Sequence, residues 1–364
     1  MSMGCGDQSY SSSIAGEVKG NIDTIPEQDI QEYESTELDS DGDGIVNAYD
    51  SEHLSKDIYI YGNGSIEDPY EIINIYQLQA IAGVDHTGVS LSESIYTNFT
   101  WIYGDNKTSQ LEKSYILRQG MNASITNTWT SVEVNATLSI AGFTPIGDCE
   151  TEMICSVDGV AAFNGRFSGR GHNIDNLHIS RGASDRIGLF ARVGSRGVVN
   201  LVKLTNARIN GFQSVGGLVG ENSGKIYASD VEGRVFGSVY IGMLVGQNYG
   251  LISSSSGVGD LSGDLSIGGI AGFSSNRVEF SYTDGNIGGG RIVGGIVGLN
   301  RGEIQDSYSL GGLSGTDNLG GIAGINNPVS SIGNSYFLGE IIGTNNVGGL
   351  IGFNQGEVFL SYAE

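Results

Sequence analysis

The stretch LDSDGDGIVNAYD presents oxygen at nearly every second residue. Asp39, Asp41, Asp43, the Ile45 carbonyl, Asn47 and Asp50 fall at positions 1, 3, 5, 7, 9 and 12 of a calcium loop, with Gly44 at the sharp turn of position 6. A chain with that spacing wraps around one hard cation, so Ca²⁺ is the expected cofactor. Position 12 is Asp50 rather than the glutamate of a standard EF-hand, and no helix pair flanks the loop. It is therefore expected to stiffen a junction rather than to act as a sensor.

The other reactive residue types are sparse. The four histidines are His53, His86, His172 and His178, and no HExxH motif is present. In GHNIDNLHI, a strand would place His172 and His178 on one face and Asp175 on the other, which argues against a metal cluster. Glycosidases need two carboxylates facing one sugar, but the acids between Glu221 and Glu357 are scattered over several positions. Arginines 166, 170, 181, 186, 192 and 196 form a basic cluster, read either as a contact for an acidic glycan or protein or as a solvated face. No catalytic residue is assigned, and the chain is expected not to be an enzyme. The alternative is a carbohydrate-binding or polysaccharide-processing protein (lyase or hydrolase), because parallel β-helices host such chemistry, although fold alone does not decide it. Cys149 and Cys155 flank a short polar loop and are read as a disulfide or as two thiols, the former favoured by an oxidising compartment. Cys5 follows Gly4 and precedes a polar serine-rich stretch, the pattern of a mature lipoprotein start.

What must position these residues is a repeat. The phrase VGGLVGENSG returns with its first glycine at Gly216, Gly242, Gly268, Gly294, Gly320 and Gly348, in steps of 26, 26, 26, 26 and 28. A degenerate copy, IGLFARVG, puts Gly188 another 28 residues upstream. Ser229, Ser255, Ser281, Ser307, Ser335 and Ser361 keep the same period, with one lengthening where two residues enter near INNPVSS. A period in this range means a solenoid, propeller or array. Residues 211 to 352 contain 36 glycines, each costing about 1 kcal/mol inside a helix, so helices are disfavoured. The short β-branched runs GLVG, GIAG and GIVG suit strands. The expected fold is all-β, a right-handed parallel β-helix with one coil per 26 residues, about three strands per coil, and glycines at the corners.

Stacked coils turn repeated positions into ladders. Leu218, Leu244, Ile270, Ile296, Ile322 and Leu350 form one expected interior row, and Ile226, Ile252, Val278, Ile304, Ile332 and Val358 another. Asn222, Asn248, Asn300, Asn326 and Asn354, interrupted by Ser274, form a turn row expected to exchange side-chain hydrogen bonds and to tolerate left-handed backbone. Tyr282, Tyr308, Tyr336 and Tyr362 form a further row whose facing the sequence leaves open.

The chain organisation follows. Residues 1–38 read as a flexible acidic tether, 39–50 as the calcium loop, 57–140 as an N-terminal cap and irregular β region, and 141–364 as the β-helix, with full copies from about 215. Within the cap, 57–83 is expected to hold a strand, a glycine turn, a second strand and a short helix carrying Ile75, Leu78 and Ile81. The net charge is −23, and residues 1–60 hold 14 acids against 2 bases. Such a field repels nucleic acid and draws cations. No run of 18 apolar residues exists, so no membrane-spanning helix is expected. The chain stops inside a copy at FLSYAE, which leads to the expectation of a continuing polypeptide or a partner at that end.

The phrases GGLVGENSGKIYASDVEG, GGIVGLNRGEIQDSYSLGG and GGLIGFNQGEVFLSYAE resemble the glycine-rich GLUG repeats of bacterial surface proteins, and GNGSIEDPYEIINIYQLQAI and FNGRFSGRGHNIDNLHI resemble the segments that precede them. The acidic loop resembles thrombospondin type 3 calcium repeats, in which acids at the positions of Asp39, Asp41, Asp43 and Asp50 ligate Ca²⁺. The resemblance implies a bacterial cell-surface, outer-membrane-associated or extracellular location. It also implies an adhesive or structural role with a host-surface protein or glycan as partner, and the Gly4-Cys5 pattern leads separately to the expectation of an N-terminal lipid anchor.

Overall fold

The structure, a computed structural model, describes residues 61–83, 107–132, 138–147 and 162–364. The calcium loop, the acidic tether, all three cysteines, His53 and His86 lie outside the described residues.

The chain forms a parallel β-solenoid. One coil can be followed through Gln213–Gly216, Val219–Asn222, Lys225–Tyr227 and Asp230–Phe236 before the path returns to Val239–Gly242. Each of these strands pairs in parallel with its equivalent in the next coil, giving four sheets, here called A, B, C and D in that order. Sheets A and B hold 6 and 7 strands, and sheets C and D hold 10 each. Equivalent residues stay paired even where the spacing changes: Ile226 opposes Ile252 and Ile252 opposes Val278 at 26 residues, and Ile304 opposes Ile332 at 28, across the two-residue insertion. The degenerate copy is a true coil, since Phe190–Val193 pairs with Val219–Asn222.

The coil therefore has four strands, not about three. The apolar phrase that reads as one strand is split by its glycine pair. A Cβ on Gly216 would lie 2.3 Å from the Val219 carbonyl oxygen and 2.5 Å from that of Leu244 in the next coil. Only a residue without a side chain lets the chain fold there from sheet A to sheet B. In the one copy that reads IGMLVG, Met243 replaces the second glycine and is buried against Gly257 of sheet D. An extra side chain on one wall is thus met by a missing one on the facing wall.

The interior rows are buried as expected except at their last members, where Leu350 is half-buried and Val358 is exposed. Leu218, Leu244, Ile270, Ile296 and Ile322 have no exposed surface, nor do Ile226, Ile252, Val278, Ile304 and Ile332. Each such side chain contributes on the order of 1.5–3 kcal/mol by burial. A row not singled out in the sequence, Val235, Leu261, Ile287 and Leu313, lines the far end of sheet D. Towards the N-terminal end the filling turns aromatic, with the Phe163 and Phe190 rings 5.0 Å apart and Phe167 edge-on to Phe190 at 5.4 Å. The predicted helix is present at Ile75–Ala80, capped by Asn74, whose Oδ1 accepts from the Gln77 amide at 2.8 Å. Ile75, Leu78 and Ile81 are buried in the same continuous core.

Two polar ladders close the corners. At the B-to-C corner, Asn222 Nδ2 donates to Asn248 Oδ1 (2.8 Å), Asn248 to Ser274 Oγ (3.0 Å), Asn300 to Asn326 Oδ1 (2.9 Å) and Asn326 to Asn354 Oδ1 (2.8 Å). At the C-to-D corner, the Ser229 amide donates to Ser255 Oγ, and this hydroxyl donates to the Ser253 carbonyl. Ser281, Ser307 and Ser335 repeat the arrangement. These bonds satisfy buried backbone groups that no strand reaches.

Corner conformation departs from expectation. The Asn row is not left-handed, and the left-handed C-to-D corner is built from non-glycine residues: Ala228, Ser254, Phe280, Asp306, Asn334 and Leu360, with φ from 45° to 53°. Side chains there point outward, as the exposure of Phe280 and Leu360 shows. The cost of a single left-handed residue is met by the serine that follows. Positive-φ glycines sit instead in the middle of sheet D, at Gly233, Gly259, Gly285 and Gly311.

Candidate functional site

Sheet D carries the longest strands of the coil, and its outer face holds two features. The first is the tyrosine row. Strand alternation buries Ser281 and Thr283, so Tyr282 between them points outward. In-register pairing then stacks Tyr282, Tyr308, Tyr336 and Tyr362, with centroids 5.1, 4.9 and 5.4 Å apart and interplanar angles of 7°, 2° and 11°. Ring faces are taken up by neighbouring rings, and edges and hydroxyls face solvent. Burial, then the neighbouring Tyr336 and Tyr282 phenols and Asp284, push the Tyr308 phenol up. Stacked pairs are worth about 0.5–1.5 kcal/mol each beyond burial. Tyr308→Ala breaks two of them and is expected to cost about 1–3 kcal/mol in a urea titration, with loss of near-ultraviolet circular dichroism from the stack.

The second feature is a polar groove of about 1270 Å³ across the first coils of sheet D. Its floor contains Ala207, Gly233 and Gly259. A bulge lies beside it: Leu204 opposes Val231 and Ala207 opposes Gly233, so two residues, Thr205 and Asn206, stand where the next coil has only Glu232. Asp175 pins the bulge, accepting from Thr205 Oγ1 (2.8 Å) and Asn206 Nδ2 (2.8 Å). Bulges of this kind re-aim side chains and bend the strand.

Across the groove runs one column. His178 opposes Arg208, Arg208 opposes Arg234, Arg234 opposes Asp260, and Asp260 opposes Asn286. Arg234 Nε lies 3.3 Å from Asp260 Oδ2, and Asn286 Nδ2 donates weakly to Asp260 Oδ1 at 3.4 Å. Arg208 makes no ion pair among the described residues. Burial and the charge of Arg208 lower the His178 pKa, so at neutral pH the imidazole is uncharged and serves as a donor–acceptor. Glu232 on the next outward column and the amides Asn127, Asn176 and Asn206 complete a lining rich in hydrogen-bonding groups.

The residues suggested by sequence are otherwise dispersed. His172 and Asp175 join no metal-binding group, and among the described residues no cluster of three or more His, Cys, Asp or Glu is placed to hold a metal ion. The arginine cluster does not form one patch. Arg192 pairs with Glu221 at 3.0 Å, Arg196 with Glu112 at 2.5 Å, and Arg181 donates to Thr144 Oγ1 at 2.9 Å, each on a different side of the coil. The acids also form separate rung pairs: Glu303 with Arg277 on sheet C at 2.7 Å, and Asp317 with Arg291 on sheet A at 3.6 Å. Arg208 and Arg234 were not picked out by sequence, although Arg208, Arg234 and Asp260 themselves step by 26.

No family model matches the chain. Over 198 residues, 54% of its length, it is 30% identical to halomucin of Haloquadratum walsbyi, and this spans 2% of the halomucin chain. The crystal structure of a candidate immunoglobulin A1 protease from Bacteroides ovatus matches with a TM-score of 0.50 at 17% identity, covering 82% of this chain and 86% of that one. At that identity the likeness concerns the fold, a stacked parallel β-solenoid.

Proposed function

We propose that the chain is a non-catalytic structural and adhesive module of a microbial cell surface, a stiff β-solenoid that holds ligand-contacting side chains on the outside of sheet D. The observation that carries this reading is the continuous parallel register of the coils, which stacks an outward tyrosine row on sheet D and sets outward carboxylates beside arginines of neighbouring rungs, Glu303 with Arg277 and Asp260 with Arg234. The GLUG-like phrases and the likeness to a protein named for mucin accord with an extracellular setting. No helix among the described residues is long and apolar enough to cross a membrane. In this reading Cys5 is an attachment point and Cys149–Cys155 a disulfide. The test is a lyase and hydrolase screen on polysaccharides, with and without Ca²⁺, in which any turnover rejects the non-catalytic reading. The groove favours a second reading, carbohydrate binding.

The loop Asp39–Asp50 is proposed to bind Ca²⁺ through Asp39, Asp41, Asp43, the Ile45 carbonyl, Asn47 and Asp50, stiffening the junction between tether and solenoid. Calorimetric titration of Ca²⁺ into the full chain should give a binding isotherm that Asp41→Asn combined with Asp43→Asn removes. An unchanged isotherm in that variant rejects the site.

A further inference from the structure

We infer that the sheet D groove binds an acidic polysaccharide, with Arg208 and Arg234 pairing carboxylates or sulfates on neighbouring sugar units and the surrounding amides meeting sugar hydroxyls. This rests on the carbohydrate-binding reading above and gives it a ligand class and named residues.

Three observations support it. First, Arg208 and Arg234 stand on adjacent rungs, about 4.8 Å apart. Guanidinium groups match carboxylate and sulfate geometry with paired hydrogen bonds. Arg208 is exposed and has no carboxylate partner among the described residues, whereas Arg277 and Arg192 elsewhere are already paired. Second, the lining suits a hydroxyl-rich ligand rather than a peptide. Asn127, Asn176 and Asn206 offer both donors and acceptors to it. The floor strands are paired on both sides within sheet D, so no free strand edge is available there for a peptide to extend the sheet. Third, the concavity is built into the backbone. A Cβ on Gly233 or Gly259 would meet a backbone carbonyl oxygen at 2.2 or 2.1 Å, and the bulge before Ala207 is held by Asp175. The lining runs over successive rungs, from His178 through Arg208 and Arg234 to Asp260, a span suited to successive units of a polymer rather than to a single sugar.

Asp260 makes the inference testable in both directions. It holds Arg234 and places a negative charge beside the column. Asp260→Asn should therefore release Arg234 and tighten binding, whereas Arg208→Ala with Arg234→Ala should weaken it. The full chain is titrated by calorimetry with polygalacturonate, chondroitin sulfate, neutral dextran and poly-glutamate. Expected are binding of at least one acidic polysaccharide, weakening by at least about tenfold in the double variant, a gain of about twofold or more in Asp260→Asn, and no change in Arg277→Ala. Circular dichroism of each variant establishes that it is folded. Binding of dextran alone, unaffected by the arginine variants, overturns the acidic ligand and leaves carbohydrate binding standing. Poly-glutamate binding as tightly as the polysaccharides overturns the glycan in favour of an acidic peptide. No binding to any polysaccharide overturns both the inference and the carbohydrate reading, and leaves the structural reading to the turnover screen.

Discussion

Gly285→Ala should destabilise the solenoid by more than about 3 kcal/mol, enough to abolish cooperative folding of the neighbouring coils. Gly285 has φ +151°, and an added Cβ would lie 2.1 Å from the Gly259 carbonyl oxygen and 2.8 Å from two further Gly259 backbone atoms. That backbone conformation is one an L-residue rarely adopts and costs about 1–3 kcal/mol. The overlap is with backbone, not with the end of a mobile side chain, so relief requires the two strands to separate and their ladder bonds to lengthen. Gly259, Gly285 and Gly311 form one file in which each residue packs on the carbonyl of the previous coil, so the file limits how far apart the coils can sit. Gly312→Ala is the control. Its φ is not left-handed, and its nearest neighbour is the Asn286 side-chain oxygen at 3.3 Å. That substitution should fall within about 0.5 kcal/mol of the parent chain. Urea denaturation of the two variants, followed by far-ultraviolet circular dichroism, measures the difference. Equal stabilities would show that the file does not constrain the coil spacing.

This file marks where the sequence stops being readable. The period was legible because a parallel solenoid places each residue over its equivalent, so the spacing of Ile226, Ile252 and Val278 is the register itself. The helix at Ile75–Ala80 was legible from the helical spacing of Ile75, Leu78 and Ile81, whereas its Asn74 cap came only with the structure. The number of strands was not, because Gly216 and Gly217 put a corner inside an apolar run, and apolar runs read as single strands. The left-handed corner was hidden because Ala228, Ser254, Phe280 and Asp306 share no residue type; the constraint lies in the buried serine after each of them. Tyrosine facing needed knowledge of which neighbours are inside, since alternation fixes relative but not absolute orientation. The groove depends on one additional residue: Lys203 to Asp230 is 27 positions, whereas Ala207 to Gly233 is 26. A single insertion in the first regular coil is invisible to a search for the common period, yet it builds the bulge beside Arg208. The calcium loop and the cysteines lie outside the described residues, so their readings rest on sequence alone.

Asn248→Leu should cost about 3–5 kcal/mol, although leucine is nearly isosteric and the site is fully buried. Hydrophobicity would favour the change if the site were apolar, but Asn248 closes four polar contacts. Its Oδ1 accepts from Asn222 Nδ2 at 2.8 Å and from the Gly250 amide at 3.2 Å. Its Nδ2 donates to Ser274 Oγ at 3.0 Å and to the Gly250 carbonyl at 2.9 Å. Each buried group left unpaired costs about 1–3 kcal/mol, and the losses share partners, so the total is less than their sum. The natural interruption at Ser274 tests the same argument in reverse. Its hydroxyl accepts from Asn248 and donates to the Asn276 carbonyl at 3.1 Å, which keeps the corner and its register with Asn300. The shorter side chain sends no bond on to Asn300, so the ladder is two segments, 222–248–274 and 300–326–354. Ser274→Asn should join them and add about 0.5–1.5 kcal/mol, a single net hydrogen bond. In the Asn248→Leu background that gain should disappear, because the new amide would lack its donor on one side. Chemical denaturation of the two single variants and the double variant forms a thermodynamic cycle. A coupling energy near zero would show that the asparagines act as independent turn residues rather than as a continuous ladder.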